Sequence, residues 1–411
     1  MATGKQRQYN VYLASEAVSS IDSFEGVPDY TDQPRSDESQ LTYRWQKQLH
    51  KRLDAAGDLA PGLFLAGIVA TLATFTANWL GTDLLGYSKS PVSPILVTVI
   101  FGLVLRNTIG LPVRYRDGLN WCVKRALRVG VALLGLGLSL TAVGTIGLTA
   151  LPIVFGCIIT AIFGVIWFGK LIGLTGNLST LIAVGTSICG VSAIVATGPA
   201  IRADDDEISY GVTVITLFGI LALATYPFLS HSLFQGDPVM AGLFLGTAIH
   251  DTSQVAGAGL MYEMTYLSPE AMNVATTTKL LRNLCLGIVV PVLSILYRKK
   301  NGNPATPTRF RISKFIPGFV IAFVGLAVIR SVGDIGDRPF LVLTPEIWST
   351  LLGYSKALSL VCLTLALSAI GLGTSFSQIR ELGLRPLAVG FASAALVGVV
   401  SYCLIRLFAS P

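Results

Sequence analysis

The chain has 411 residues, of which 52% are hydrophobic and only 13% charged, with a mean hydropathy of +0.66 and a net charge of +7. Ordinary soluble domains carry about 25% charged residues, so this composition excludes a soluble globular fold and points to the bilayer. The basic residues fall in loops between apolar runs, a membrane-topology pattern that excludes a nucleic-acid patch. The six cysteines are dispersed, without a CxxC pair, and imply neither a disulfide framework nor a metal site.

The first fifty residues are polar, and no apolar core follows a basic N-terminus, so no signal peptide is expected. Residues 1–40 read as disordered. The tract Leu41–Leu59 reads either as an interfacial helix, with Tyr43 and Trp45 at headgroup level and Lys47, Lys51 and Arg52 near phosphates, or as a solvated linker. This gives two regions, a polar tail over 1–58 and a transmembrane domain over 59–411. In the latter, eleven apolar runs are candidate spans: 60–80, 92–107, 126–145, 148–170, 178–201, 210–229, 239–260, 273–297, 315–332, 347–376 and 386–408. The predicted fold is therefore all-α and polytopic, with about eleven transmembrane helices.

Loop charges set the expected orientation. Arg106, Arg114, Arg116, Lys124, Arg125 and Arg128 cluster after the second span, and Arg298, Lys299, Lys300, Arg309, Arg311 and Lys314 after the eighth. Both clusters should be cytoplasmic. Eleven crossings then put the N-terminus inside, the C-terminus outside, and the acidic loop Ala203–Glu207 outside.

Two pairs of segments repeat. GTSICGVSAIVATG (185–198) matches GTAIHDTSQVAGAG (246–259) at an offset of 61, aligning Gly185, Thr186, Ile188 and Ser192 with Gly246, Thr247, Ile249 and Ser253. GLGLSLTAVGTIGL (135–148) resembles GLGTSFSQIRELGL (371–384), and seven intervening spans make that pair inverted. Glycine, serine and threonine crowded into an apolar run favour an interrupted helix, and matched interruptions mark transporter binding sites. Two discontinuous helices are expected, meeting at Cys189–Gly190 and His250–Asp251. Lying two crossings apart, the GTxI copies would be parallel if both spanned fully. Either one is re-entrant, or they share chemistry and not symmetry.

The polar residues of these segments are the candidate site. Thr186, Ser187, Cys189, Ser192, Thr247, Thr252, Ser253 and Gln254 are placed to ligate an oxyanion beside free amides at a helix break, or else serve as helix-packing contacts. His250 and Asp251 are ionisable at membrane depth and suit proton coupling, with a structural hydrogen bond as the bland alternative. Lys279 and Arg282, one helical turn apart, either face the core as two cations for an anion or snorkel to headgroups. No phosphate loop, HExxH or GxSxG motif is present, so an enzyme is not expected.

GTSICGVSAIVATGPAIRADDDEISYGV, GLFLGTAIHDTSQVAGAG and KLLRN resemble the sulfate exporter family of prokaryotic inner-membrane proteins, over roughly residues 60–408. The resemblance implies the cation–proton antiporter and bile-acid symporter fold group, with crossing discontinuous helices, usually as homodimers. It also implies export of sulfate, sulfite or a small sulfonate, with no cofactor and with a proton or sodium ion as coupling partner. The polar tail departs from that pattern. A membrane-embedded ion-translocating subunit of an enzyme complex and a non-transporting sensor are the competing readings.

Overall fold

The computed structural model describes residues 44–84, 93–300, 318–335, 339–341, 344–377 and 383–409, the side chains of 44–56, 81 and 298–300 excepted. The expected disorder of residues 1–40, Tyr43 and the basic residues Arg309, Arg311 and Lys314 lie outside this set. Every described element is helical. Helix α1 (Arg44–Asn78) begins inside the tract expected to be interfacial and runs unbroken through Leu59 into the first apolar run. It is followed by α2 (Pro94–Thr108), α3 (Arg116–Trp121), α4 (Leu127–Leu133) and α5 (Leu140–Ile172). Ser139 caps α5, accepting from the Ala142 amide, and so divides the third and fourth runs before residue 140.

The segments expected to span at 178–201 and 239–260 do something else. Helix α6 (Gly176–Ser187) stops at Ile188, and α7 (Val191–Ile201) starts after Gly190. At about 1.5 Å per residue, each is roughly half the thickness of a bilayer core. The chain doubles back between them, with Ile194 of α7 packed on Gly185 of α6. The open ends meet where α8 (Asp205–Leu233) begins: Thr175, the cap of α6, donates its hydroxyl to Glu207 at 2.5 Å. Helix α8 is held there by an Asp204–Glu207 capping box.

The second hairpin enters from the far end of α8. Asp237 caps α9 (Pro238–Ala248), the chain breaks at Ile249–Asp251, and α10 (Thr252–Tyr266) returns. Its last turn reaches the end of α8, where Tyr266 stacks on His231 with ring centroids 3.6 Å apart and Tyr262 shares a hydrogen bond with His231 Nδ1. Thus α6–α7 and α9–α10 form two helical hairpins approaching from opposite ends of α8.

Helices α11 (Pro269–Leu284) and α12 (Leu286–Lys300) run past both tips. Val274 and Thr278 of α11 pack on Gly242 and Gly246 of α9, while Leu286, Val290 and Leu293 of α12 pack with α7 residues such as Ala193. Helix α15 (Leu384–Phe408) lies behind the hairpins, beside α5 and α8. Helices α1–α4, α13 (Gly318–Gly333) and α14 (Pro345–Gly373) form a second group. The Glu263–Lys356 ion pair, 2.7 Å, ties α14 to α10.

Among the described residues, six helices are long and apolar enough to cross a membrane, and four shorter ones are apolar. The eleven-span expectation is corrected at the hairpins. The acidic Ala203–Glu207 stands at the same end of the molecule as the loop after α2, opposite to expectation, because 178–201 turns back instead of crossing. The links 135–139 and 371–375 lie at opposite ends, and residues 378–382 of that repeat are outside the described set.

Candidate functional site at the hairpin tips

A helix that stops inside an apolar core leaves its last carbonyls without amide partners. Two such ends, α6 and α9, face each other here. Arg282, fully buried on α11, bridges them. It donates from Nε to Ser187 O at 2.5 Å and from Nη2 to Thr186 O on one tip, and from Nη1 to Thr247 O at 2.5 Å and Ile249 O at 3.2 Å on the other. Lys279, also fully buried, donates to Ile249 O at 3.0 Å and to His250 O. Both cations meet the negative ends of half-helices and restore the missing donors. Their snorkelling alternative is excluded by burial.

The opposite, positive ends belong to α7 and α10. Asp251 is the N-cap of α10, accepting from Ser253 N at 2.9 Å and Ser253 Oγ at 2.5 Å, and Gln254 closes the box by accepting from the Asp251 amide at 3.1 Å. Gln254 also donates to Thr216 O on α8 at 3.3 Å. Gly190 caps α7 with φ 67° and no side-chain bond. A Cβ on Gly190 would stand 2.7 Å from Asp251 Oδ2, so the two tips touch at the residues expected to meet. Only glycine combines that φ with that approach.

The structure sorts the candidate residues. It brings Thr186, Ser187, Thr247, Thr252, Ser253, Gln254, Cys189, His250, Asp251, Lys279 and Arg282 into one region. Thr186 and Thr247 supply carbonyls to Arg282, while their hydroxyls turn away to α15: Thr186 Oγ1 to Ser393 at 3.2 Å and Thr247 Oγ1 to Ser401 at 2.6 Å. Ser187 likewise offers its carbonyl, its hydroxyl bonding Val184 O at 3.3 Å. Ser192 is corrected: it lies on the exposed face of α7, because the turn that buries Ala193 and Ile194 against α6 points it outward. Asn283, the last residue of the KLLRN motif but not among the candidate site residues, donates to Thr252 Oγ1 at 3.1 Å. Ser393 and Ser401 were also missed, although their two-turn spacing in an apolar helix was a usable signal. His250 is fully buried, and neither ring nitrogen bonds a described residue. The hydroxyls of Thr276, Thr277 and Thr278 and the Asn283 Oδ1 are likewise buried and unpartnered.

Two basic side chains, Lys279 and Arg282, and one acidic side chain, Asp251, gather at the tips beside the N-terminal ends of α7 and α10. The described residues hold no cluster of metal-ligating side chains.

A helical protein with apolar helices of membrane-crossing length and two buried cations at paired helix breaks is a multi-pass membrane protein. The family described as conserved hypothetical protein 698 matches residues 61–390. A UPF0324 membrane protein of Fusobacterium nucleatum subsp. nucleatum is 31% identical over 345 residues, covering 82% of this chain and 96% of the relative. Another from Clostridium tetani is 30% identical over 352 residues, covering 83% and 95%, and one from Streptococcus pyogenes serotype M18 is 31% identical over 341 residues, covering 83% and 95%. The chain belongs to this family of membrane proteins. No solved structure matches it.

Proposed function

We propose that this protein is a secondary transporter of a small anion, working by alternating access around the hairpin tips. The supporting observation is the charge at the tips: two fully buried cations, one carboxylate and the N-termini of α7 and α10 converge where the helices break. Buried charge at membrane depth is costly and is retained where function uses it. Two basic side chains, two helix N-termini and buried unpartnered threonine hydroxyls suit an oxyanion. The likeness to sulfate exporters narrows the substrate to sulfate, sulfite or a small sulfonate, moved outward across a prokaryotic inner membrane. Outward movement of negative charge is favoured by a negative-inside potential.

In this reading α1, α2, α3–α4, α5, α8, α11–α12, α13, α14 and α15 cross the membrane, and the hairpins enter from opposite faces as an inverted pair. The odd number of crossings keeps the N-terminus cytoplasmic, beside the basic loops, and the C-terminus outside. The test is a thermal-shift screen of the purified protein against sulfate, sulfite, taurine, sulfoacetate and dicarboxylates, followed by flux in proteoliposomes. One of these anions raises the melting temperature in proportion to ln(1 + [L]/Kd) and is transported. No shift and no flux with any of them overturns the reading.

A further inference from the structure

We propose that Asp251 is the resident counter-anion of the site, and that a divalent oxyanion takes its place electrically while the carboxylate takes up one proton. This rests on the anion reading above and adds the charge of the substrate and the identity of the coupling group.

One carboxylate stands at the head of both returning helices. Asp251 Oδ1 is engaged by Ser253 as the cap of α10. Its Oδ2 side lies against Gly190, the cap of α7, which has no side chain of its own to offer the α7 amides. The glycine is what lets a neighbouring hairpin's acid approach that helix end. Asp251 is also only half-buried, whereas Lys279, Arg282 and His250 are fully buried. An anion arriving from the exposed side therefore meets the carboxylate before it meets the cations. Two anions cannot share this position without severe repulsion, which protonation of one removes.

The charges close on a specific stoichiometry. Lys279 and Arg282 with a dianion and a neutral Asp251 give zero net charge, the cheapest state to carry through the membrane core. The proton comes from solvent on the side of loading, sits on a carboxylate oxygen, and returns to solvent when the anion leaves. The cap survives, because the carbonyl oxygen of a carboxylic acid still accepts from Ser253. The titratable groups that act on Asp251 are Cys189 on the opposite tip and Lys279 on α11, with His250 next to it in the chain and Arg282 one turn beyond Lys279. The α8 neighbour Thr216 brings a carbonyl, and the α15 residues Ser393 and Ser401 bring hydroxyls.

The experiment measures sulfate binding to the full-length purified protein from about pH 5.5 to 8, with proton uptake recorded in weakly buffered solution. Asp251→Asn keeps a competent helix cap while removing the titration. Wild type is expected to lose affinity about tenfold per pH unit toward the alkaline end, with one proton taken up per sulfate. Asp251→Asn is expected to bind at every pH as wild type does at the acid end, with no proton uptake. His250→Asn is expected to keep the wild-type slope. A wild-type slope that persists in Asp251→Asn, or disappears in His250→Asn alone, overturns the inference and leaves the anion reading standing. So does an Asp251→Asn protein that is folded by its melting profile yet binds no sulfate while wild type does. Failure of wild type to bind sulfate, sulfite or taurine at any pH overturns the anion reading itself, and this inference with it.

Discussion

The two hairpin tips are anchored alike and equipped differently. In each, a Gly-Thr pair ends the entering helix, the threonine carbonyl accepts from Arg282, and the threonine hydroxyl bonds a serine of α15. Past that point they diverge. The first tip continues Cys189-Gly190 and has a glycine at the cap of its returning helix; the second continues His250-Asp251 and caps its own with a carboxylate. The offset of 61 aligns these residues one to one, and even the matched serines part company: Ser253 bonds Asp251 while Ser192 is exposed. The shared residues hold the chain break in place, and the unshared ones carry the charge. One tip is a receiver shaped to let the other approach.

That contrast is open to test at several strengths. The largest effect is expected from Arg282, which both tips share. Arg282→Ala orphans carbonyls on both hairpins at once and should destabilise the protein by about 3–5 kcal/mol, read as a collapse of monodispersity on heating. Arg282→Lys should recover only part of this, since a point-like ammonium cannot reach both tips as the guanidinium fork does. If Arg282→Ala melts as wild type does, the tips are not held together by this side chain.

Next comes Gly190→Ala. The added methyl meets the Asp251 carboxylate at 2.7 Å on a backbone at φ 67°, so a cost of about 1–3 kcal/mol and a clear loss of sulfate affinity are expected. Cys189→Ala, one residue away, should change sulfate affinity less than about twofold, because the thiol meets the α7 backbone at Ala193 and brings no carboxylate to the tips. Equal effects in the two variants would erase the distinction between receiver and charged tip.

The smallest effects are expected at the anchors. Thr247→Val and Thr186→Val each remove one hydroxyl bond to α15 and should cost about 1 kcal/mol in a denaturation series. Thr247→Val should cost more, as its bond to Ser401 is 2.6 Å against 3.2 Å for Thr186 to Ser393. Combining Thr247→Val with Ser401→Ala should cost less than the sum of the two alone, since the partner left unsatisfied is gone as well.

Much of this site is legible in the sequence. The matched Gly-Thr segments, the breaks at Cys189–Gly190 and His250–Asp251, and the two cations a turn apart are written in residue type and spacing, because glycine frequency and buried charge have local consequences. The partners of those cations were not legible. The sequence leaves Lys279 and Arg282 either facing an anion or snorkelling to headgroups, and in the structure much of their donor capacity goes to tip carbonyls. Which hydroxyls face the site also escaped the sequence, because Thr186 and Thr247 point by rotamer and by the position of α15, which lies some 150 residues or more downstream.

The sequence by itself determined that the chain lives in a bilayer, that its helices break at two matched places, and that ionisable groups gather there. These follow from hydropathy and backbone propensity, which act over a few turns. Only the tertiary structure decided that the chain turns back at each break. A run of two dozen apolar residues has the right length for one crossing or for a hairpin of two half-helices, and its composition is the same in both. What chooses is whether neighbouring helices offer a surface on each side of the returning half. Helices α5, α8 and α12 do so for the first hairpin, and α8 and α11 for the second, with Thr175–Glu207 and His231–Tyr266 closing their open ends.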